Sequence, residues 1–285
     1  MTKIMAIIAA PLAMCSPLLL HAQDHISPAS TETSGNEITV AVGMGLTPSY
    51  EGSDDYNITP GILVRGKVAG MPFFSRGTNL HLDVVPNDDE GGWDIGFGPI
   101  ISARFNRTGR IKDARVKALG KLDPAIELGV WGGIAKTGVI TSAYDNLSFR
   151  VSVMKDVANG HESTVITPAI EYVTPLSQTT LVGLSLSADY VGKGYGRTYY
   201  DIDAAGSAAS GLATYSGAGD SSGFSKMSVN LLAGKSLSGD IRKGWALFAV
   251  GGYGRILGDY AASPIVKTAG SRDQWLGALG AAYTF

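Results

Sequence analysis

The feature that most constrains this chain is a period-two alternation that begins at Glu37 and runs, with interruptions, to the final residue. Ile38, Val40, Val42, Met44 and Leu46 share one face; Glu37, Thr39, Ala41, Gly43, Gly45 and Thr47 share the other. Successive side chains point to opposite sides only in a strand, and about 9 to 11 tilted residues cross a bilayer. The pattern recurs. Leu80, Leu82 and Val84 oppose Asn79, His81 and Asp83, while Ile95, Phe97, Ile101, Ala103 and Phe105 oppose Asp94, Gly96, Gly98, Ser102 and Arg104. Phe149 and Val151 oppose Arg150 and Ser152, and Leu184, Leu186 and Tyr190 oppose Ser185, Ser187 and Asp189. At the end Trp275, Gly277, Leu279, Ala281, Tyr283 and Phe285 oppose Gln274, Ala278, Gly280 and Thr284.

The charges fall on the polar faces throughout. An Arg facing lipid at mid-depth costs roughly 2 to 4 kcal/mol, so Arg104 and Arg150 are expected to point into a lumen, together with Asp83, Asp94 and Asp189. The apolar faces then meet lipid. Beyond the amino terminus no run approaches the ~18 to 20 apolar residues of a membrane helix, so any spanning must be done by strands.

Residues 1–22 read as a secretory signal peptide, with Lys3 at its charged end and an apolar centre broken by Pro11 and Pro17. The only cysteine, Cys15, lies within it, behind Met14 where a lipidation signal needs a small residue. The mature chain is thus expected to lack disulfides, thiolate metal sites and a Cys nucleophile. Residues 23–36 form a polar lead-in expected to reside in the periplasm, and 37–285 the barrel. A net charge of −2 indicates no field for nucleic acid. Glycine, 38 of 285 residues, suits strands that curve or approach closely.

Further strands are expected at 57–66, 67–74, 124–135, 162–173, 223–236 and 244–257. The reading is an all-β, antiparallel, up-and-down transmembrane barrel of twelve strands, with ten as the alternative. With the first strand running outward, 86–91, 174–178 and 237–243 become periplasmic turns, and 106–121 and 191–222 external loops. Short inside and long outside is the expected asymmetry. Only 114–122 looks mildly helical. The 191–222 segment, with Tyr195, Tyr199, Tyr200 and Tyr215, either caps the pore or forms a surface loop.

Catalytic strings do not find their required context. Gly219 to Gly223 matches the hydrolase serine pattern around Ser221, but that mechanism needs a strand, an elbow and a following helix. His161 and Glu162 start a zinc motif whose second histidine is replaced by Val165, and Gly234, Lys235 and Ser236 lack the earlier glycine of a phosphate loop. His81 shares the lumen face with Asn79. Glu51, Asp54 and Asp55 offer hard oxygens, yet an acidic turn between Pro48 and Pro60 accounts for them without metal. No enzyme activity, cofactor or metal is implied.

In Pro48, Tyr50, Glu51, Gly52, Ser53, Asp54, Asp55, Tyr56 and Pro60, in Gly109-Arg110, and in the Tyr283, Thr284, Phe285 ending, the chain resembles the MipA/OmpV family of outer-membrane proteins. The resemblance implies a small barrel in the outer membrane of a Gram-negative cell, surrounded by lipid. The Tyr283 and Phe285 ending resembles the signal read by the barrel-assembly machinery. The family's namesake is a scaffold that links a murein hydrolase to a murein synthase. Three readings follow: a murein-machinery scaffold, a narrow channel for small solutes or antibiotics, and an outer-membrane lipid hydrolase.

Overall fold

The computed structural model describes residues 38–86 and 93–285. The expected signal peptide and lead-in, Glu37 and most of the 86–91 turn lie outside them. Twelve antiparallel strands close into a barrel: β1 (Ile38–Pro48), β2 (Tyr56–Val68), β3 (Met71–Arg76), β4 (Asn79–Leu82), β5 (Trp93–Arg104), β6 (Ala125–Thr137), β7 (Asn146–Asp156), β8 (Thr164–Ser177), β9 (Thr180–Val191), β10 (Gly223–Ser236), β11 (Gly244–Ile256) and β12 (Asp273–Thr284). Each strand pairs with its neighbours in sequence, and β1 meets β12 from Thr39↔Thr284 to Leu46↔Gly277. Closure matters because hydrocarbon cannot satisfy an open sheet edge.

The alternation translates directly into two surfaces. Val42, Met44, Ile62, Ile95, Phe97, Leu186, Leu231 and Leu279 are exposed on the outside. Aromatic side chains bracket this band. Trp245, Tyr283 and Phe285 cluster at the end carrying the short turns, with ring separations of 5.0 and 4.8 Å. Tyr253 with Trp275 at 4.9 Å and Tyr190 with Phe224 at 5.3 Å mark the end carrying the long loops. From Trp245 to Tyr253 a strand rises roughly 27 Å, or about 20 Å along the axis at the usual tilt, close to the ~25 Å apolar band of such barrels.

Local chemistry moves some expected boundaries. The strand expected at 67–74 is broken by a two-residue turn, Ala69 and Gly70, whose positive φ angles of 52° and 80° match the twist of a tight hairpin. Lys67 and Val68 therefore finish β2. β8 continues to Ser177, with an irregular register at Pro175, so the turn expected at 174–178 shrinks to 178–179. Besides α1 (Ala114–Ala118), inside the mildly helical stretch, the loops hold α2 (Lys193–Tyr199), α3 (Ala204–Ser210), α4 (Gly217–Asp220), α5 (Gly258–Ala262) and α6 (Pro264–Lys267). None exceeds two turns, too short to leave a 3.6-residue period.

The β3–β4 hairpin is too short to span. β3 pairs with β2 only at residues 65–68, and β4 with β5 only at Leu80↔Ile101 and His81↔Ile100. Residues 56–64 of β2 thus extend past the hairpin tip with no strand on that side among the described residues. Val64 N–H donates to Ser75 Oγ at 2.7 Å on this side, and by alternation Pro60 faces the same way, where lacking an N–H leaves no donor stranded. The hairpin also leans inward. A Cβ on Gly98 would lie 2.0 Å from the Leu82 carbonyl oxygen, so only glycine fits.

That inward lean fills one side of the lumen. Phe74 packs on Ile100, Trp131 and Met154, His81 stacks on Phe74 at 4.6 Å, and Trp131 Nε1 donates to the Leu82 carbonyl at 3.0 Å. The other side, between β1, β2 and β9 to β12, holds a cavity of about 130 Å³.

Candidate functional site: the sealed loop end of the barrel

Residues 49–55, 105–124, 157–163, 192–222 and 257–272 all emerge at the loop end; the apolar side chains of all but 157–163 bury one another, and that connection adds His161 against Tyr195 and Tyr199. Tyr195, Tyr199, Tyr200, Ala218, Ile256, Tyr260 and Val266 form one cluster with Val165 and Val191 from the strands below. Tyr50, Ile111, Val116, Ile202, Leu212, Ile265 and Ala269 form a second from four different loops. Between the two possibilities read from the sequence, 191–222 forms a cap. Asp113 and Asp203 cap α1 and α3 by accepting N–H bonds at 2.8 and 2.7 Å, which fixes these short helices.

The Pro48 to Pro60 motif is the keystone of the cap. Tyr50 is fully buried and donates from its hydroxyl to the Ala269 carbonyl at 2.8 Å. Glu51 N–H reaches Asn106 Oδ1 at 3.1 Å, and Gly52 N–H reaches Gln274 Oε1 at 3.1 Å. Ser271 N–H donates to the Gly52 carbonyl at 2.8 Å. Gly52 has φ +98°, and a Cβ there would stand 2.8 Å from Val266 Cγ2, so both backbone and packing require glycine. Ser53 is buried; its Oγ bonds Ser49 Oγ at 2.8 Å and accepts from Asp55 N–H at 3.0 Å. Tyr56 Oη accepts from Trp275 N–H at 3.1 Å. Pro48 ends β1, Pro60 lies in β2, and Asp54 is exposed.

Beneath the aromatic cluster lies an ionic layer. Tyr195 Oη donates to Glu51 Oε2 at 2.5 Å, and Lys226 Nζ stands 3.6 Å from Glu51 Oε1 and 3.4 Å from Asp189 Oδ2. Asp189 also accepts from Thr167 Oγ1 at 2.8 Å. Arg104 grips the fully buried Glu127 with bonds of 3.1 and 3.3 Å and lies 5.2 Å from the centre of the Tyr195 ring. His161 Nε2 meets Glu127 Oε1 at 2.8 Å. Burial pushes the Tyr195, Tyr199 and Tyr200 phenols well above their usual range, with the Glu51 carboxylate adding to the rise for each. These hydroxyls stay neutral at ordinary pH, and that of Tyr195 donates to Glu51.

Deeper in the lumen, Arg150 Nη2 pairs with Glu171 Oε1 at 3.2 Å, and Arg76 reaches the same carboxylate from the β3–β4 hairpin across the barrel. Of the lumen residues expected from sequence, Arg104, Arg150 and Asp189 enter these networks. Asp83 instead accepts backbone N–H bonds from Val85 and Phe97 at 3.0 and 3.2 Å, anchoring the β4–β5 connection. Asp94 lies on the lumen face of β5, near its turn end. The sequence reading missed Arg76, Glu127, Glu171, His161 and Lys226 as site residues. For the strand residues the signal was parity, which places Glu127 and Glu171 on inward faces once β6 and β8 are registered; His161, in a loop, had none.

Tyr283 and Phe285 lie in the turn-end aromatic group, with Phe285 N–H donating to the Ile38 carbonyl at 2.9 Å. Ser221 follows α4 and precedes β10, the reverse of a strand–elbow–helix order. Among the described residues no group of three or more His, Cys, Asp or Glu side chains is arranged to hold a metal ion.

A closed twelve-stranded barrel with an apolar outer band and two aromatic girdles defines an outer-membrane β-barrel protein of a Gram-negative cell. The family model described as MltA-interacting protein MipA matches residues 40–285, and the chain belongs to that family. Among solved structures it is similar to an outer membrane channel from Pseudomonas putida F1, at 13% identity and TM-score 0.46, covering 92% of this chain and 100% of that one. It is also similar to OmpT of Vibrio cholerae, at 8% identity and TM-score 0.35, covering 88% and 97%. A third is the CymD monoaromatic hydrocarbon channel, at 11% identity and TM-score 0.37, covering 88% and 89%. No curated protein matches.

Proposed function

We propose that this barrel acts as an interaction protein of the outer membrane, presenting its turn end to the periplasm. There it assembles with a murein hydrolase of the MltA type and with a murein synthase. The supporting observation is the sealed loop end. Four connections bury their tyrosines and aliphatic side chains against one another over an ion-paired layer, and such a mouth does not suit passive diffusion of solutes. The binding surface on this reading comprises the lead-in 23–36 and the turns at 138–145, 178–179 and 237–243.

These turns are well suited to present a fixed surface. Burial would raise the Asp145 carboxyl, but N–H bonds from Thr141, Val139 and Ile140 and the Tyr172 hydroxyl outweigh it and hold it well below the usual range. Asp240 is held at about 2, chiefly by its bond to the Arg242 guanidinium. The experiment is co-purification of MltA with the full chain from cross-linked cells, paired with planar-bilayer conductance. Recovery of MltA with silent bilayers supports the reading; steady conductance without MltA transfers support to the narrow channel. That second reading draws on the charged Arg76, Glu171 and Arg150 cluster, which could select ions if the cap moved. Biogenesis through the barrel-assembly machinery, with Tyr283 and Phe285 as its signal, is part of the same proposal.

A further inference from the structure

Lumens of membrane barrels are ordinarily polar and wet. The unfilled side of this one is mainly apolar. Its cavity of about 130 Å³ is lined by Leu63, Leu232, Phe248, Val250 and Leu276, with small residues such as Ala278 leaving the space open. Each of these side chains sits on an inward-facing position of its strand; the inward positions beside them are Gly61 and Arg65 on β2, Asn230 and Gly234 on β10, Ala246 and Gly252 on β11, and Gln274 and Ala278 on β12. The size is close to that of a ~150 Å³ apolar cavity that stays dry and takes up benzene, so it accommodates one ring or one stretch of a single alkyl chain. A lipid with two acyl chains is too large.

The lining of the cavity reaches the turn end of the strands. Its rim there carries Thr39, Thr284 and Arg65: Thr39 Oγ1 and Thr284 Oγ1 are 2.9 Å apart, and Arg65 Nε donates to Thr39 Oγ1 at 3.2 Å. At the opposite end of the barrel the loops pack into the cap. A guanidinium offers planar, paired donors that suit a carboxylate or phosphate. Apolar walls ending at a cation and two hydroxyls match one kind of molecule, an amphiphile with a single apolar tail and an acidic head.

We propose that the lumen binds a single-chain acidic amphiphile from the periplasmic side, with its tail between Leu63, Leu232, Phe248 and Leu276 and its head at Arg65. The tail is held by burial, at about 25 cal/mol per Å² of apolar surface removed from water. The head is positioned by Arg65, Thr39 and Thr284. Both a fatty acid and a lysophospholipid carry this chemistry. The claim concerns the interior of the barrel and stands independently of any murein enzyme outside it.

The test uses the purified full chain in phospholipid nanodiscs, photolabelled with dodecanoic acid carrying a mid-chain diazirine. The labelled peptides are mapped by mass spectrometry. Labelling should concentrate on Leu232, Phe248 and Leu276 and be displaced by unlabelled dodecanoate. Ala278→Leu and Ala246→Leu, both verified as folded by heat-shifted gel mobility, should each lower it at least fivefold. Label confined to lipid-facing Leu231 and Leu279, or unaffected by both fillings, overturns the pocket. Equal labelling by the matching dodecanol, with no loss in Arg65→Gln, overturns the acidic head. Displacement by lysophosphatidylglycerol at lower concentration than by dodecanoate assigns the pocket to the lipid rather than the free acid; the reverse assigns it to the acid.

Discussion

Glu127 shows how one side chain can carry a layer of the molecule. It is fully buried; Arg104 donates to both its oxygens, and His161 shares Oε1. Removing its charge leaves a guanidinium in the lumen with its main counter-charge gone. Breaking buried pairs costs roughly 3 to 5 kcal/mol, and the partial exposure of Arg104 moves the expectation to about 3. Glu127→Gln should therefore lower the urea midpoint of the folded barrel in vesicles, whereas an unchanged midpoint would assign the pair no structural weight. Gly52→Ala is expected to destabilise the cap by more than about 1 kcal/mol, since φ is positive and Val266 occupies the space. The check is faster proteolysis within residues 192–222. At this scale the sequence was half legible. Arg104 and Arg150 could be assigned to the lumen because lipid penalises them, but which acid each would meet depends on strands far apart in sequence.

The elements divide along the same line. Strands with strict alternation, such as β1, β5 and β12, could be read because a spanning strand must keep its parity throughout. The β3–β4 hairpin could not, because its strands are too short to show a period and it folds inward. Nor could the cap, whose helices are held by contacts between loops rather than by their own pattern. The tyrosines of that cap give it a pH limit. Burial raises the folded-state pKa of Tyr195, Tyr199 and Tyr200 above the unfolded value of about 10. Their stabilising contribution is complete below about pH 10 and is lost as pH rises further. Ultraviolet titration should show phenolate forming late and together with cap release, read as protease cleavage in 192–222. Early, independent titration of these three would contradict their burial.

For the whole molecule, the final strand does the closing, and both neighbours of β12 depend on it: β1 through Thr39↔Thr284 and β11 through Gly244↔Thr284. Deleting Phe285 removes the terminal aromatic, its N–H bond to Ile38 and its contact with Tyr283. Insertion into the outer membrane should fall far more than with any single loop substitution; equal insertion would remove the assembly role from this residue. Excising residues 193–220 should leave twelve strands but take away most of the aromatic lid. Discrete conductance steps should then appear where the intact chain is silent, and continued silence would place the block lower, at Arg76 and Glu171. The incomplete lacing beside β2 has its own consequence. A ring yields where its ladder is thinnest, and here that place is fixed at the section of β2 above the hairpin tip. The amides of Ile58 and Ile62 share the outward-turned parity of Pro60, so they should take up deuterium well before those of Leu63 or Ala41. If the barrel wall ever parts toward the surrounding lipid, it does so beside Pro60.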